Sequence, residues 1–192
     1  LALAHTYGST ERERCRNTVK TVENLLYGID IDHYFSFTMD AVPMLNDSVG
    51  GVELTLMDDF TQIDESFEKG AVVTLHGDHA LTYVRARSSL EDSTNIHRME
   101  RQKQYVKALC EKFHAYDDGT LIKIMSEIGE YMASDCTVDQ MSRLAENLEK
   151  YEFKGIITLD GESVKGEQYM EFYLNEETTQ ELVIELFYEL LK

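Results

Sequence analysis

Apolar and polar positions recur along the 192-residue chain with periods that predict a mixture of helices and short strands. Thr10 followed by Glu13 has the form of a capping box. Cys15, Val19, Val22, Leu25 and Leu26 then share one face of a helix of about 18 residues, which Gly28 stops. Tyr34, Phe35, Phe37 and Met39 predict a short buried strand. Asp40 is placed to cap a brief helix that tolerates Pro43 in its first turn. Beyond Gly50-Gly51, the apolar positions Val52, Leu54 and Leu56 alternate as in a half-buried strand. An acidic loop from Asp58 to Glu68 and an apolar stretch from Ala71 to Leu75 follow. Gly77-Asp78 opens a helix through Ala80, Leu81, Tyr83 and Val84, and after a polar break a long helix is predicted over 96–114. Two further helices are predicted over 120–133 and 137–150, the second opened by the capping box of Thr137 and Gln140. Segments 153–159 and 168–174 read as a hairpin around Asp160-Gly161, and Leu182, Leu186, Phe187 and Leu190 line a closing amphipathic helix.

Strands separated by helices predict an α/β (α+β) protein. The architecture expected is a mixed central sheet flanked by helices, an α-β-α sandwich, followed by C-terminal helices, a β-hairpin and a last helix. A hydrophobic fraction of 43% supplies one real core. One Pro and 11 Gly leave no Pro- or Gly-rich linker. Asp plus Glu number 36 against 18 Lys plus Arg, a formal charge of −18 that disfavours nucleic acid as a partner. No apolar run reaches the roughly 18–20 residues needed to span a bilayer. Cys15, Cys110 and Cys136 lack metal-ligand spacing and read as small, partly buried side chains. His76 and His79 read as helix-start or surface residues, and the acidic residues of 58–65 as a solvated loop, for want of a supporting ligand pattern.

The charge balance makes the arginines conspicuous. Of eight, four fall within 17 residues: Arg85, Arg87, Arg98 and Arg101. The first pair ends one predicted helix and the second begins the next, so a reversal between them brings guanidinium forks together near a helix N-terminus. Arg98 and Gln102 share a helix face, and Arg101 and Tyr105 a neighbouring one. Arg binds phosphate through paired charge-assisted hydrogen bonds, and a helix N-terminus adds free N–H donors. Such a site suits a diphosphate, with Gln102 orienting an oxygen and Asp92, in the intervening loop, placed to take a proton from an attacking hydroxyl. The competing reading is that these arginines form ordinary surface ion pairs.

The run from Gly77-Asp78-His79-Ala80-Leu81 through Tyr83-Val84-Arg85-Ala86-Arg87, followed by Asn95-Ile96-His97-Arg98-Met99-Glu100-Arg101-Gln102, closely resembles the LytR–CpsA–Psr family of cell-envelope proteins. Ala4-His5-Thr6-Tyr7-Gly8, Thr21-Val22-Glu23-Asn24-Leu25-Leu26, Ile31-Asp32-His33-Tyr34 and Val49-Gly50-Gly51-Val52 fit the same pattern in order. The resemblance covers residues 1–116, which it marks as the C-terminal two-thirds of the family's catalytic domain, with 117–192 as an extension packed on it. It implies an enzyme on the outer face of the bacterial cytoplasmic membrane. That enzyme transfers a polyprenyl-diphosphate-linked glycopolymer, with its proximal phosphate, to a hydroxyl of peptidoglycan, with Mg²⁺ as cofactor. It implies that Arg85, Arg87, Arg98 and Gln102 contact the diphosphate, with Arg101 beside them. Where the family often has an acid, three residues before Arg98, this chain has Asn95, which leaves Asp92 as the candidate base. The family's Mg²⁺-binding aspartates and membrane-anchoring segment are expected before Leu1. This stretch alone is therefore expected to show an incomplete sheet, weak diphosphate binding and no turnover. The alternative expectation is a non-catalytic module that binds a lipid-linked polymer.

Overall fold

The computed structural model describes residues 3–87, 95–116, 118–148, 150–167 and 170–188. In chain order the elements are α1 (Glu11–Leu25), β1 (Phe35–Phe37), α2 (Ala41–Ser48), β2 (Val52–Thr55), β3 (Val72–Leu75), α3 (Asp78–Arg85), α4 (Asn95–Phe113), α5 (Asp118–Glu127), β4 (Met132–Ser134), α6 (Val138–Leu148), β5 (Gly161–Lys165), β6 (Met170–Leu174) and α7 (Glu176–Phe187). The α/β class is as expected. The strands form three two-stranded antiparallel ladders among the described residues, β1–β4, β2–β3 and β5–β6, in place of one mixed central layer. Contacts divide the chain into two units, residues 35–156 and residues 1–34 with 157–192; the boundary expected at 116 falls inside the first of these.

In the 35–156 unit the alternation of β2 places Val52 and Leu54 inward and Glu53 and Thr55 outward. β3 pairs with it from Val52↔Leu75 to Thr55↔Val72. The ladder is prolonged by Leu56 N–H to Ala71 O and Gly70 N–H to Leu56 O, both 2.9 Å. Val52, Leu54, Leu56, Phe60, Phe67, Leu75, Tyr83, Val84, Tyr105 and Ile124 form one buried cluster from the hairpin and helices α3, α4 and α5. Burial of these side chains is the main favourable term in folding. Asn46 of α2 is also buried: its Nδ2 donates to Leu75 O at 2.7 Å, and its Oδ1 accepts from Tyr105 Oη at 3.3 Å. The helix predicted over 120–133 is shorter. α5 ends at Glu127, Gly129–Tyr131 makes a 3-10 turn, and Met132–Ser134 becomes β4, paired with β1. Gly129 is a poor helix former, and the ladder to β1 offers the next residues another home for their backbone polar groups.

In the other unit the predicted capping box is complete. Thr10 Oγ1 accepts from Glu13 N–H at 3.2 Å, while the Glu13 carboxylate accepts from the N–H groups of Ser9 (2.7 Å) and Thr10 (3.3 Å). The hairpin is displaced from its predicted place. Residues 151–160 form no strand; Gly161 lies within β5, opposite Leu174, and the ladder runs on to Lys165↔Met170. Gly161 is there because of close approach: a Cβ at this position would lie 2.3 Å from Tyr173 O and 2.8 Å from the Phe172 ring. Asn175 caps α7, its Oδ1 accepting from Glu177 and Thr178 N–H. It buries Thr179 and Val183; of the predicted stripe Leu182 is half-buried, Leu186 and Phe187 are exposed, and Leu190 lies outside the described residues.

Candidate anion-binding site

The site is assembled where α3 stops and α4 starts. Gly77 (φ +48°), in the left-handed region where a side chain is strained, turns the chain from β3 into α3, and its N–H donates to Asp47 Oδ1 at 2.8 Å. α3 ends because Ala86 is extended (ψ 142°), which leaves the last carbonyls of the helix without partners in the helix. α4 supplies the partners. Arg101 donates from Nε to Tyr83 O (3.1 Å) and from Nη2 to Ala86 O, and Gln102 Nε2 donates to Val84 O (3.0 Å). A cation at this negative end of the α3 dipole is also favourable.

Arg101 is fully buried. Its Nη1 donates to Asp58 Oδ2, its guanidinium lies 5.8 Å over the Phe60 ring, and Asp58 Oδ1 lies 2.7 Å from His97 Nε2. Every nitrogen of Arg101 is used inside the protein, so the sequence-based placement of Arg101 among the ligand contacts is corrected: it holds the scaffold. The same carboxylate corrects the reading of 58–65 as uniformly solvated. Asp59 and Asp64 do lie at the surface, each accepting from the N–H and hydroxyl two residues on, but Asp58 is 2% exposed. Of the two histidines, His79 packs edge-on against Phe67, with ring centroids 4.9 Å apart, and His76 is exposed beside Asp47.

Arg87 and Arg98 behave differently. Their Nη2 groups meet on one acceptor, Asn95 Oδ1, at 3.1 and 2.6 Å. Among the described residues no carboxylate pairs with either of them. Burial and the charges of Arg87 and Arg101 hold the Arg98 guanidinium below its ordinary pKa. Arg98 Nε is buried with no acceptor among the described residues. A pair of cations on one neutral oxygen, with an orphaned buried donor, is an arrangement that an anion completes. Arg85, the last residue of α3, is exposed and makes no hydrogen bond or ion pair among the described residues. The structure thus brings Arg87, Arg98 and Asn95 together and puts Gln102 on the adjoining turn of α4.

The model of the LytR_cpsA_psr family matches residues 4–186. The chain belongs to the LytR_cpsA_psr family. It is 34% identical, over 146 residues, to a polyisoprenyl-teichoic acid–peptidoglycan teichoic acid transferase TagU of Halalkalibacterium halodurans, covering 72% of this chain and 47% of that one. The chain thus spans about half the length of the curated relatives it matches. Among solved structures it resembles a transcriptional regulator from Enterococcus faecalis (TM-score 0.76, 25% identity, 96% of this chain and 67% of that one). It also resembles TagT bound to LIIa-WTA (TM-score 0.70, 26% identity, 95% and 68%). In this LytR_cpsA_psr chain Asp92, the expected base, lies outside the described residues. The resemblance places the Mg²⁺ ligands before Leu1, and among the described residues those around Arg87 and Arg98 offer Mg²⁺ no ligand set. A hard cation takes oxygen ligands, and the described carboxylate beside Arg101, Asp58, is committed to Arg101 and His97.

Asp58 and Arg101 were legible in outline. The inward parity of Val52, Leu54 and Leu56 continues through Asp58 to Phe60, and Arg101 stands four residues before the buried Tyr105 on the same helix stripe. Asn95 carried no signal beyond its place three residues before Arg98.

Proposed function

We propose that this protein binds a polyprenyl-diphosphate-linked glycopolymer at Arg87 and Arg98 and transfers it to a peptidoglycan hydroxyl at the outer face of the cytoplasmic membrane. The observation that carries the reading is the cationic doublet on Asn95, with Arg98 Nε buried and unpartnered among the described residues. The names of the relatives support the transfer chemistry. The two guanidinium forks take the diphosphate oxygens, Arg85 extends the cationic edge, and the second N–H of the Gln102 amide is placed to orient an oxygen. The acceptor hydroxyl forms a new P–O bond at the phosphorus next to the sugar. The bond from that phosphorus to the bridging oxygen breaks, and polyprenyl phosphate leaves. The hydroxyl proton passes to a base, for which Asp92 is the candidate. Developing charge on the phosphoryl oxygens is what fixed guanidiniums stabilise best.

Asn95 itself favours a second reading, binding without turnover, because an amide takes no proton at neutral pH. Titration with farnesyl diphosphate tests the shared binding step. Arg98→Ala and Arg87→Ala are each expected to weaken binding about 10- to 100-fold, given about 1.5–3 kcal/mol for a charged hydrogen bond. Unchanged affinity in both variants would remove the site. Transfer of a labelled glycopolymer by the full-length protein then separates enzyme from binding module, with Asp92→Ala abolishing transfer if that carboxylate is the base.

A further inference from the structure

We propose that Asn95 is a positioning residue that sets the anion affinity of the site, its amide oxygen spacing the Arg87 and Arg98 guanidiniums without cancelling their charge. This rests on the diphosphate reading above. The orientation of the amide is fixed by chemistry. Oδ1 faces two guanidinium donors, while Nδ2 faces Met99 Sδ at 3.6 Å; a flipped amide would set donor against donor. The one oxygen therefore serves as a hub that holds two like charges close together; burial first, and then the charge of Arg87, lower the Arg98 pKa. An aspartate has the same shape, keeps the Oδ1 acceptor, and puts a second acceptor oxygen where Nδ2 stands. It would relieve that repulsion, steady the free protein and oppose an incoming diphosphate. An alanine would free both arginines and leave their charge intact. The neutral amide combines an ordered fork with a full double charge.

The variants therefore separate geometry from charge. The 192-residue chain, Asn95→Asp, Asn95→Ala and Arg98→Ala are titrated with inorganic pyrophosphate by calorimetry, and their thermal unfolding is followed without ligand. Asn95→Asp is expected to bind about tenfold more weakly or worse, with an unfolding midpoint unchanged or raised and a shallower dependence of affinity on salt. Asn95→Ala is expected to lose only about threefold, with the salt dependence of the parent kept. A purely structural role makes affinity fall only together with the unfolding midpoint. That result, an Asn95→Asp protein that binds as tightly as the parent, or an alanine variant as weak as the aspartate one, overturns the proposal. If Arg98→Ala binds pyrophosphate as the parent does, the diphosphate site itself is misplaced; if it weakens while Asn95→Asp does not, only the role of Asn95 falls.

Discussion

Arg98 and Arg101 lie three residues apart on one helix, and the protein treats them in opposite ways. Arg101 has a carboxylate partner, two carbonyl acceptors and an aromatic ring, and it is removed from water. Among the described residues Arg98 has one neutral acceptor, a second guanidinium beside it and a buried Nε with no partner. The first arrangement is closed and the second is open to an anion. A guanidinium becomes a ligand contact when the fold withholds its counter-ion, and a structural strut when the fold supplies one.

The strongest way to break this contrast is to delete each arginine in turn and measure stability. Arg101→Ala strands the Asp58 carboxylate in the core and leaves the Tyr83 and Ala86 carbonyls unsatisfied. Losing one partner of a buried ion pair costs about 3–5 kcal/mol, so a large drop in the denaturant midpoint is expected, and Asp58→Ala should match it. Arg98→Ala removes a side chain with no carboxylate partner and relieves repulsion, so its stability should change by no more than about 0.5 kcal/mol. Equal losses for Arg98→Ala and Arg101→Ala would erase the distinction. The double variant Asp58→Leu/Arg101→Met sharpens it, because removing both charges costs less than removing either alone.

The two halves of the site differed in how far the sequence revealed them. The helices α3 and α4, the break between them and the four arginines were all visible as spacing, because helix periodicity is local. The division of labour among those arginines was not, because it depends on a carboxylate 43 residues before Arg101. Asp58 looks like Asp59 and Asp64 in composition; it differs from Asp59 in continuing the inward parity of β2, and from Asp64 in lying within reach of Arg101. The hairpin shows the same limit: Asp160-Gly161 has the residues of a tight turn, but packing against Phe172 places Gly161 inside a strand. β4 is a tertiary choice as well, since Met132–Ser134 becomes a strand by pairing with β1 nearly a hundred residues earlier in the chain.

A smaller effect examines whether the scaffold under Arg101 is dry. Gln102 joins the two halves, since its Nε2 donates to Val84 O while it sits one turn beyond Arg98. Gln102→Leu keeps the side-chain volume and removes the bond to a half-buried carbonyl. The expected loss is about 0.5–1.5 kcal/mol, accompanied by weaker pyrophosphate binding if the amide also orients the ligand. A stability loss with unchanged affinity would assign Gln102 to the closed half alone.

The gentlest test uses pH. The carbonyl of Tyr83 accepts from Arg101, its ring lies 5.4 Å from that of Phe60, and its hydroxyl donates to Gln104 Oε1. Burial pushes the Tyr83 hydroxyl up from 10.0 to about 12. The folded state therefore holds this proton more tightly than the unfolded chain does. The stabilisation is fully present below pH 10 and is lost as pH rises toward 12, where the native protein must either ionise a buried phenol or unfold. Tyr105, also raised by burial, adds to the same alkaline limb. Tyr83→Phe should cost about 1 kcal/mol at neutral pH through the lost hydrogen bond to Gln104, and it should flatten the fall in stability between pH 10 and 12. The measurement is urea unfolding of parent and variant across that range. An unchanged alkaline slope in Tyr83→Phe would mean that water reaches the phenol. The closed half of the site would then be wetter than the Arg101–Asp58 pair requires, and the cost of deleting Arg101 should shrink with it.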